Sequence, residues 1–257
     1  MCYTVVAYPK VKDITHDFPE LLKDIQLLEN TQLSNWIVGH QHPSVPVIYY
    51  HRTEHVLACR TMEWGIIPHY IKKAAQFADK RSSMLNARSE KIIGDTQSYW
   101  YTIRNRRCLV PVAGILEYRT VPGIKSKIPY YVYNKEQQPL YLPGLYAVAE
   151  LIDENTGELI KLASFTLVTR KANSLLMAIH NSGTNAGRMP LFLPLNLAKT
   201  WLQEGLNAHD LQQLLAYEHP SEALNYHTVF PPKRIAALDN SNDFTNKFDY
   251  GIADLVL

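Results

Sequence analysis

The amino-acid sequence predicts a mixed α+β protein with a mainly antiparallel sheet or barrel at its core and helices at its periphery. Apolar, β-branched runs recur along the chain between turn-forming residues, as strands do. Two of these runs flank residues 153–157 (DENTG), a hairpin turn signal. The runs do not alternate regularly with helices, as a doubly wound parallel sheet would require. With 257 residues, 46% of them hydrophobic, we expect one domain over residues 1–257, with a less regular tail from about residue 230.

The predicted strands are apolar runs rich in β-branched and aromatic residues. Pro68 ends one of them, because proline cannot donate a hydrogen bond to a strand ladder. Pro111 and Gly114 interrupt another and predict a bend or a bulge there. The predicted strands cover residues 2–8, 45–50, 56–60, 62–67, 108–118, 130–133, 140–149, 159–169 and 191–193.

Helices are predicted where apolar residues recur every three to four positions. Residues 18–28 and 195–202 each have one apolar face, and residues 70–79 and 210–217 are also predicted to be helical. The two faces consist of Phe18, Leu21, Leu22, Ile25 and Leu28, and of Leu195, Ala198, Trp201 and Leu202.

The net charge of +2 conceals a basic block between Lys80 and Lys127. Ten basic and three acidic residues in this block give it a charge of +7, which leaves −5 for the rest of the chain. Such a block favours an anionic partner such as nucleic acid. The alternative is a solvated face whose charges are balanced by acids elsewhere in the fold. The basic residues are Lys80, Arg81, Arg88, Lys91, Arg104, Arg106, Arg107, Arg119, Lys125 and Lys127.

The low, odd number of cysteines argues against a disulfide framework and suits a reducing compartment. No CxxC motif or Cys/His cluster at metal spacing is present, so we expect neither a metal nor a cofactor. The first residues lack the pattern of a signal peptide, and no apolar run reaches the ~18 residues that span a bilayer. We therefore expect no membrane association and a cytoplasmic location, nucleoid-associated if the source is bacterial. The cysteines are Cys2, Cys59 and Cys108.

Cys2 directly follows the initiator methionine. Removal of Met1 would leave an amine and a thiol on neighbouring carbons. The amine can form an imine with an aldehyde, and the sulfur can then close a thiazolidine ring. The two groups titrate near ~8 and ~8.5, so both reactive forms exist at neutral pH. The alternative is that position 2 simply tolerates a small residue.

Three further residues are candidates for catalysis, each with a structural alternative. Glu117 follows an apolar run and would act as a general acid–base with a raised pKa, or lie at a strand end in water. His180 would shuttle protons, or be an ordinary loop histidine. Asn86 could orient an amine or a sugar hydroxyl, or be a turn residue. Arg88 and Arg188 suit phosphate oxygens or ion pairs.

Five elements occur in an order that is specific when they are taken together. They are Met1-Cys2, WGIIP (64–68), NARSE (86–90), the strand end from Gly114 to Glu117, and His180 followed by Arg188-Met189-Pro190. In this respect the chain resembles the SOS response-associated peptidase (SRAP) family, the abasic-site processing proteins. The resemblance covers residues 2–193 and extends into the tail.

The resemblance implies that Cys2, once exposed, couples to the ring-opened aldehyde of an abasic site in single-stranded DNA. Asn86 would hold the linked sugar, Glu117 would assist proton transfers, and His180 would lie beside the sugar and phosphate. Family members also place phosphate contacts at Arg88 and Arg188, a structural tryptophan at Trp64, and an aromatic residue near the DNA bases at Tyr70. These last four are the predicted DNA-binding residues.

The chain departs from the family pattern at three places. Members commonly begin Cys-Gly-Arg, whereas this chain has Cys2-Tyr3-Thr4. Residues 181–187 separate the histidine from Arg-Met-Pro, which are usually nearly adjacent. The usual Asn-Val-Ala-Pro stretch is not recognisable around residues 38–46.

Three functions remain open at this point. The first is an abasic-site sensor of the DNA damage response that forms a thiazolidine crosslink and has weak lyase activity through β-elimination. The second is a thiol peptidase or autopeptidase that uses Cys2. The third is a reversible single-stranded DNA-binding module.

Overall fold

The computed structural model describes residues 2–8, 10–30, 36–153, 156–231, 245–252, 255 and 257. The strands are β1 (Thr4–Ala7), β2 (Trp36–Val38), β3 (Ser44–His51), β4 (Val56–Trp64), β5 (Asn86–Arg88), β6 (Arg107–Arg119), β7 (Ile128–Asn134), β8 (Leu140–Ile152), β9 (Leu159–Lys171), β10 (Arg188–Pro190) and β11 (Leu224–Thr228). The α-helices are α1 (Val11–Asp17), α2 (Ile25–Asn30), α3 (Ala78–Arg81), α4 (Glu90–Ile93), α5 (Tyr99–Thr102), α6 (Ser174–Ile179), α7 (Leu195–Trp201) and α8 (Ala208–Ala216). Short 3₁₀ turns cover Pro19–Asp24, Gly39–Gln41, Ala74–Phe77, Ser82–Met84 and Ser221–Ala223.

Five strands close into a barrel. β3 pairs with β4, β4 with β9, β9 with β8, β8 with β6, and β6 with β3 again. Only the β4–β9 pair of this ring is parallel. The remaining strands extend the sheet beyond the ring. The predicted fold class, a mainly antiparallel barrel with peripheral helices, is confirmed.

β6 changes partners at a bulge in the middle of its length. It pairs with β8 up to Val112 and with β7 from Gly114 onward. The register against β1 skips Ala113, as the predicted bulge requires. A Cβ at Gly114 would lie 2.4 Å from the carbonyl oxygen of Val132, so only glycine fits here. The bulge sends the second half of β6, which ends near Glu117, away from the ring.

Successive side chains of a barrel strand point to opposite faces of the sheet, so they belong alternately to two hydrophobic clusters. Val47 and Tyr49 of β3 belong to a cluster that also contains Cys2. Ile48 between them belongs to a second cluster that contains Trp201 of α7, so helices cover the outer face. The candidate nucleophile is therefore part of the main core.

Two predicted helices are shorter than expected. Residues 70–79 hold only the 3₁₀ turn Ala74–Phe77 and the start of α3. The carbonyl of Lys72 accepts a hydrogen bond from the amide of Ile152 at 2.8 Å, so a sheet contact replaces helical pairing there. Residues 18–28 divide into a 3₁₀ turn and α2, although Phe18 and Leu21 are buried as predicted.

Other boundaries differ through tertiary pairing. The strand predicted at 62–67 ends at Trp64, where Gly65 takes a φ of 103°. The strand predicted at 191–193 lies instead at β10, and Leu193 forms only a bridge to Tyr141. The sequence did not predict β2, β5, β11, α1, α4, α5 or α6. Part of the predicted turn at 153–157 and most of the tail after residue 231 lie outside the described residues. Within the described ranges, no helix is long and apolar enough to cross a membrane.

Candidate functional site

Cys2 lies just before β1, and its side chain is 0% exposed. Its Sγ donates to the carbonyl oxygen of Thr4 at 3.6 Å. Burial, and after it the negative charge of Glu117, raise the pKa of the thiol far above its ordinary value. The thiol is therefore protonated at neutral pH, and it needs a proton acceptor to become a nucleophile.

Asn86 is the first residue of β5, which pairs in parallel with β9. Its Nδ2 donates to the carbonyl oxygen of Cys2 at 3.0 Å. The residue is 6% exposed, and its Oδ1 has no hydrogen-bond partner in the described part of the chain. A buried acceptor without a donor costs roughly 1–3 kcal/mol, which a hydrogen bond from a bound molecule or an ordered water would recover.

Trp64 supports this arrangement from inside the core. Its Nε1 donates to the carbonyl oxygen of Leu85 at 2.9 Å, immediately before Asn86. Its ring stacks on Phe165 with centroids 6.1 Å apart, and the residue is 1% exposed. A ring this buried cannot stack on a DNA base. Of the two roles predicted for Trp64, direct contact with DNA is therefore wrong, and the structural role that the resemblance implies agrees with its position behind Asn86.

Glu117 lies near the end of β6 and is 4% exposed. Burial raises the pKa of its carboxyl group to about 7, against the weaker opposing charges of the N-terminal amine and Lys127. Its Oε1 also lacks a hydrogen-bond partner among the residues described. A carboxyl group that titrates near neutral pH can both accept and donate a proton, which is the property required of a general acid–base.

His180 follows α6 directly. Its Nδ1 lies 2.9 Å from the carbonyl oxygen of Arg188, and since a carbonyl only accepts, Nδ1 carries the proton. Burial lowers the pKa of the imidazole, so the ring is neutral at pH 7 with its lone pair on Nε2. The side chain of Asn181, the next residue, hydrogen-bonds to the backbone of Thr120, three residues after Glu117, so His180 and Glu117 lie on adjoining segments.

The two predicted phosphate contacts differ in their surroundings. Arg188 forms a two-pronged ion pair with Glu90, with contacts of 2.6 and 3.0 Å, and also donates to the carbonyl oxygen of Thr169. Arg88 is exposed and donates to the Oδ1 of Asn185, a neutral acceptor, at 3.2 Å. Arg88 thus keeps its full charge for an anionic partner, whereas the charge of Arg188 is balanced within the chain.

Replacement of Glu117 by glutamine is expected to stabilise the protein above pH 7. Between the ordinary pKa of 4.5 and about 7, the folded state holds a proton that the unfolded state has lost, so wild-type stability falls as pH rises through this window. Glutamine mimics the protonated carboxyl and removes the loss, which is on the order of 3 kcal/mol. Urea unfolding at pH 4.5 and pH 8.5 measures the effect, which should be small at the lower pH.

Glu90→Gln is the matched control for this experiment. The ion pair with Arg188 lowers the pKa of Glu90, although burial opposes it. Its contribution to stability is present above the ordinary pKa and is lost as pH falls, so Glu90→Gln should destabilise the protein at pH 8.5. Destabilisation by Glu117→Gln at that pH would contradict the buried, raised-pKa assignment.

Tyr70 belongs to a separate exposed aromatic cluster. It is 60% exposed, and its ring meets Tyr99 edge-on with centroids 5.9 Å apart. His69 stacks on Tyr99 at 6.0 Å and completes the cluster. These rings present aromatic surface to solvent, which a stacking partner could cover.

The basic block divides between structural and exposed residues. Arg107 is 5% exposed and donates to the carbonyl oxygens of Trp201 and Gln203, while Arg81 pairs with Glu63. Arg81 is therefore balanced by an acid, as the alternative to an anionic partner expected, whereas Arg107 is a buried residue that holds backbone carbonyl groups. The exposed members are Lys80, Arg88, Lys91, Arg106, Lys125 and Lys127. Within the described part of the chain, no group of three His, Cys, Asp or Glu side chains could hold a metal ion.

Two residues near the site were not among the predicted catalytic or DNA-binding residues. Tyr3 is half-buried, and after burial the charges of Glu117 and Cys2 raise the pKa of its hydroxyl, which Arg88 lowers. Lys127 appeared only as one charge of the basic block, although it acts on Glu117 and His180. The departure from Cys-Gly-Arg at position 3 was the only signal for Tyr3, and nothing in the sequence distinguished Lys127 from its neighbours.

The sequence matches the SOS response associated peptidase (SRAP) family over residues 1–232. The chain belongs to the SRAP family. This match confirms the resemblance seen in the motifs, and Cys2, Asn86, Glu117 and His180 all lie within the matched SRAP region.

A curated SRAP relative is an abasic site processing protein from Saccharomyces cerevisiae, 26% identical over 187 residues. The match covers 72% of this chain and 42% of the yeast protein, so the chain spans less than half of that relative's length. Among solved structures, a protein from Bacteroides thetaiotaomicron has a TM-score of 0.74 at 24% identity and covers both chains fully. A protein from Bordetella bronchiseptica has a TM-score of 0.70 at 19% identity, covering 90% of this chain and 100% of its own. These two likenesses show the fold.

Proposed function

We propose that this protein captures abasic sites in single-stranded DNA, as part of the DNA damage response, by forming a thiazolidine crosslink through Cys2 after removal of Met1. The observation that carries the proposal is a pair of buried oxygens in the site that contains Cys2, Asn86 Oδ1 and Glu117 Oε1, which have no hydrogen-bond partner among the residues that the structure describes. An apolar ligand would leave them unsatisfied, whereas a sugar with hydroxyl groups would not. The yeast relative, which is named for abasic-site processing, supports the same substrate.

The proposed reaction needs no cofactor and no oxidant. The α-amine of Cys2 adds to the C1′ aldehyde of the ring-opened sugar, and loss of one water gives an imine. The thiol then adds across the C=N bond, so that a C–S bond forms and the nitrogen gains a proton. The product is the DNA and the protein joined with the net loss of one water.

Glu117 and His180 supply the proton transfers of this scheme. The Cys2 thiol is protonated and buried, so sulfur addition requires a nearby acceptor, and Glu117 raises the thiol pKa because its carboxylate is close. In its protonated form Glu117 can donate to the sugar oxygen during ring opening. The neutral imidazole of His180 offers a second base beside the sugar and phosphate.

Recognition of the strand rests on charge and aromatic surface rather than on base sequence. Arg88 and the exposed lysines would contact phosphates, and Tyr70 would stack on a neighbouring base for about 1–3 kcal/mol. Arg188 would contact a phosphate only by exchanging Glu90 for it. Weak strand cleavage by β-elimination from the imine would be a side reaction.

The peptidase alternative is disfavoured by the state of the thiol. Thiol peptidases use a cysteine whose pKa is depressed so that thiolate exists at neutral pH. Burial raises the pKa of Cys2 instead. We therefore propose crosslinking as the main reaction, and hydrolysis of a peptide library by the purified protein would instead favour the peptidase.

The proposal is tested with purified protein and an oligonucleotide that contains one abasic site. Intact mass should show the loss of Met1, and the mixture should give a complex that survives denaturing electrophoresis, with the summed mass less one water. The same oligonucleotide with an intact base should give none. A protein that lacks Met1 and still yields no such complex would refute the function, and reversible binding alone would leave the non-covalent module as the answer.

A further inference from the structure

Residues 181–187, which separate His180 from Arg188, form a closed loop that we call the strap. The amide of Gly187 donates to the carbonyl oxygen of His180 at 2.9 Å, so the strap begins and ends at the same place. Gly187 has a φ of 69°, and a Cβ there would lie 2.8 Å from the sulfur of Met177. The base of the strap is thus fixed by a position that requires glycine.

One side of the strap is anchored to the end of β6. The Asn181 side chain accepts from the amide of Thr120 at 2.9 Å and donates to the carbonyl oxygen of Thr120 at 2.9 Å. The hydroxyl groups of Thr120 and Ser182 lie 2.6 Å apart. Thr120 is three residues after Glu117, and Asn181 directly follows His180. The anchor therefore ties the backbone that carries Glu117 to the backbone that carries His180.

The other side of the strap is anchored to β5. Asn185 Oδ1 accepts the 3.2 Å hydrogen bond from Arg88, which is two residues after Asn86. An amide oxygen fixes the direction of a guanidinium without neutralising it. Glu90, by contrast, neutralises Arg188 with its carboxylate. The structure thus holds one arginine in place and leaves its charge available.

We infer that the strap is a positioning element with two separable roles. The Asn181 anchor holds Glu117 and His180 in register for proton transfer, and the Asn185 anchor directs Arg88 toward a backbone phosphate of the incoming strand. The inference rests on the proposed function, because both roles are defined by the capture of abasic DNA. It assigns positioning roles to two residues of an insertion that lies outside the motifs of the site.

The test is to measure the rate of crosslinking against DNA concentration for Asn181→Ala and Asn185→Ala. Asn181→Ala should lower the maximal rate about tenfold or more, since a displacement of about 1 Å between reacting groups costs about 10²-fold, and leave the half-saturating concentration unchanged. Asn185→Ala should raise the half-saturating concentration about three- to tenfold, the contribution of one ordinary hydrogen bond, at an unchanged maximal rate.

An aspartate variant at each of the two positions tests the two roles separately. Asn181→Asp keeps the acceptor for the Thr120 amide and should fall between wild type and Asn181→Ala in maximal rate. Asn185→Asp would pair with Arg88 and neutralise it, so it should weaken binding more than alanine does and reduce the slope of affinity against salt by about 0.7. Asn196→Ala, an exposed asparagine of α7, is the matched control and should change neither parameter.

The possible outcomes distinguish a failure of the proposed function from a failure of the roles assigned to the strap. A wild-type protein that crosslinks no abasic DNA contradicts the proposed function. A wild-type protein that crosslinks, with Asn181→Ala and Asn185→Ala both changing the same parameter or neither, overturns the strap's two roles and leaves the function standing. Melting temperatures of all variants within a few degrees of wild type, as expected for side chains at the surface, attribute a rate or affinity change to positioning.

Discussion

Replacement of Cys2 by alanine is expected to abolish the denaturant-stable complex with abasic DNA and to leave reversible binding of the same strand nearly unchanged. Alanine keeps the α-amine, so an imine can still form. Without sulfur the imine cannot close to a ring, and it hydrolyses when the protein is denatured. Denaturing electrophoresis measures the loss of the stable complex, and fluorescence anisotropy of a labelled oligonucleotide measures binding.

Borohydride reduction distinguishes the roles of amine and thiol. Reduction should trap the imine of Cys2→Ala as a permanent complex, and addition of borohydride should not be needed for the wild type. Cys59→Ala is the control, because Cys59 is also buried but belongs to the helix-facing cluster rather than to the site. A stable complex formed by Cys2→Ala without reduction would show that the sulfur is not part of the linkage.

Replacement of Glu117 by glutamine is expected to slow crosslinking by about 10²- to 10⁴-fold, the usual contribution of a general acid–base. Glutamine keeps the size and hydrogen-bonding capacity of the protonated carboxyl but cannot accept the thiol proton. Burial places the pKa of Glu117 at about 7, so the wild-type rate should change with pH around neutrality. The part of the pH dependence near pH 7 should disappear in the variant, while the part set by the α-amine of Cys2 near ~8 should remain. Single-turnover time courses at saturating DNA, from pH 5.5 to 8.5, provide both measurements.

Glu117→Gln should have opposite effects on crosslinking rate and on stability, which together test the buried general acid–base role of Glu117. The same Glu117→Gln change that removes activity should increase stability above pH 7, because a buried carboxylate is costly there. Glu90→Gln should leave the maximal crosslinking rate near the wild-type value. If Glu117→Gln crosslinked at the wild-type rate, His180 or solvent would have to be the proton acceptor.

The local hydrophobic pattern of the sequence was sufficient to predict most of the barrel strands. The apolar run at 108–118 with Pro111 and Gly114 predicted both a long strand and its bulge, because hydrophobic alternation and the steric needs of glycine are properties of a few neighbouring residues. The helix predicted at 70–79 was wrong over its first half. There the chain meets Ile152 of β8, a contact more than 70 residues away that no local pattern encodes.

The sequence by itself determined the family and the identity of the candidate site residues, because a cysteine at position 2 and four ordered motifs can be recognised from residue order alone. Only the tertiary structure decided which of them share a site and in what state. In the folded chain Asn86 donates a hydrogen bond to Cys2, and Trp64 is buried behind Asn86. Arg188 forms an ion pair with Glu90, whereas Arg88 contacts a neutral amide and keeps its charge. These outcomes depend on desolvation and on hydrogen bonds between segments far apart in the chain, which arise only when the barrel closes.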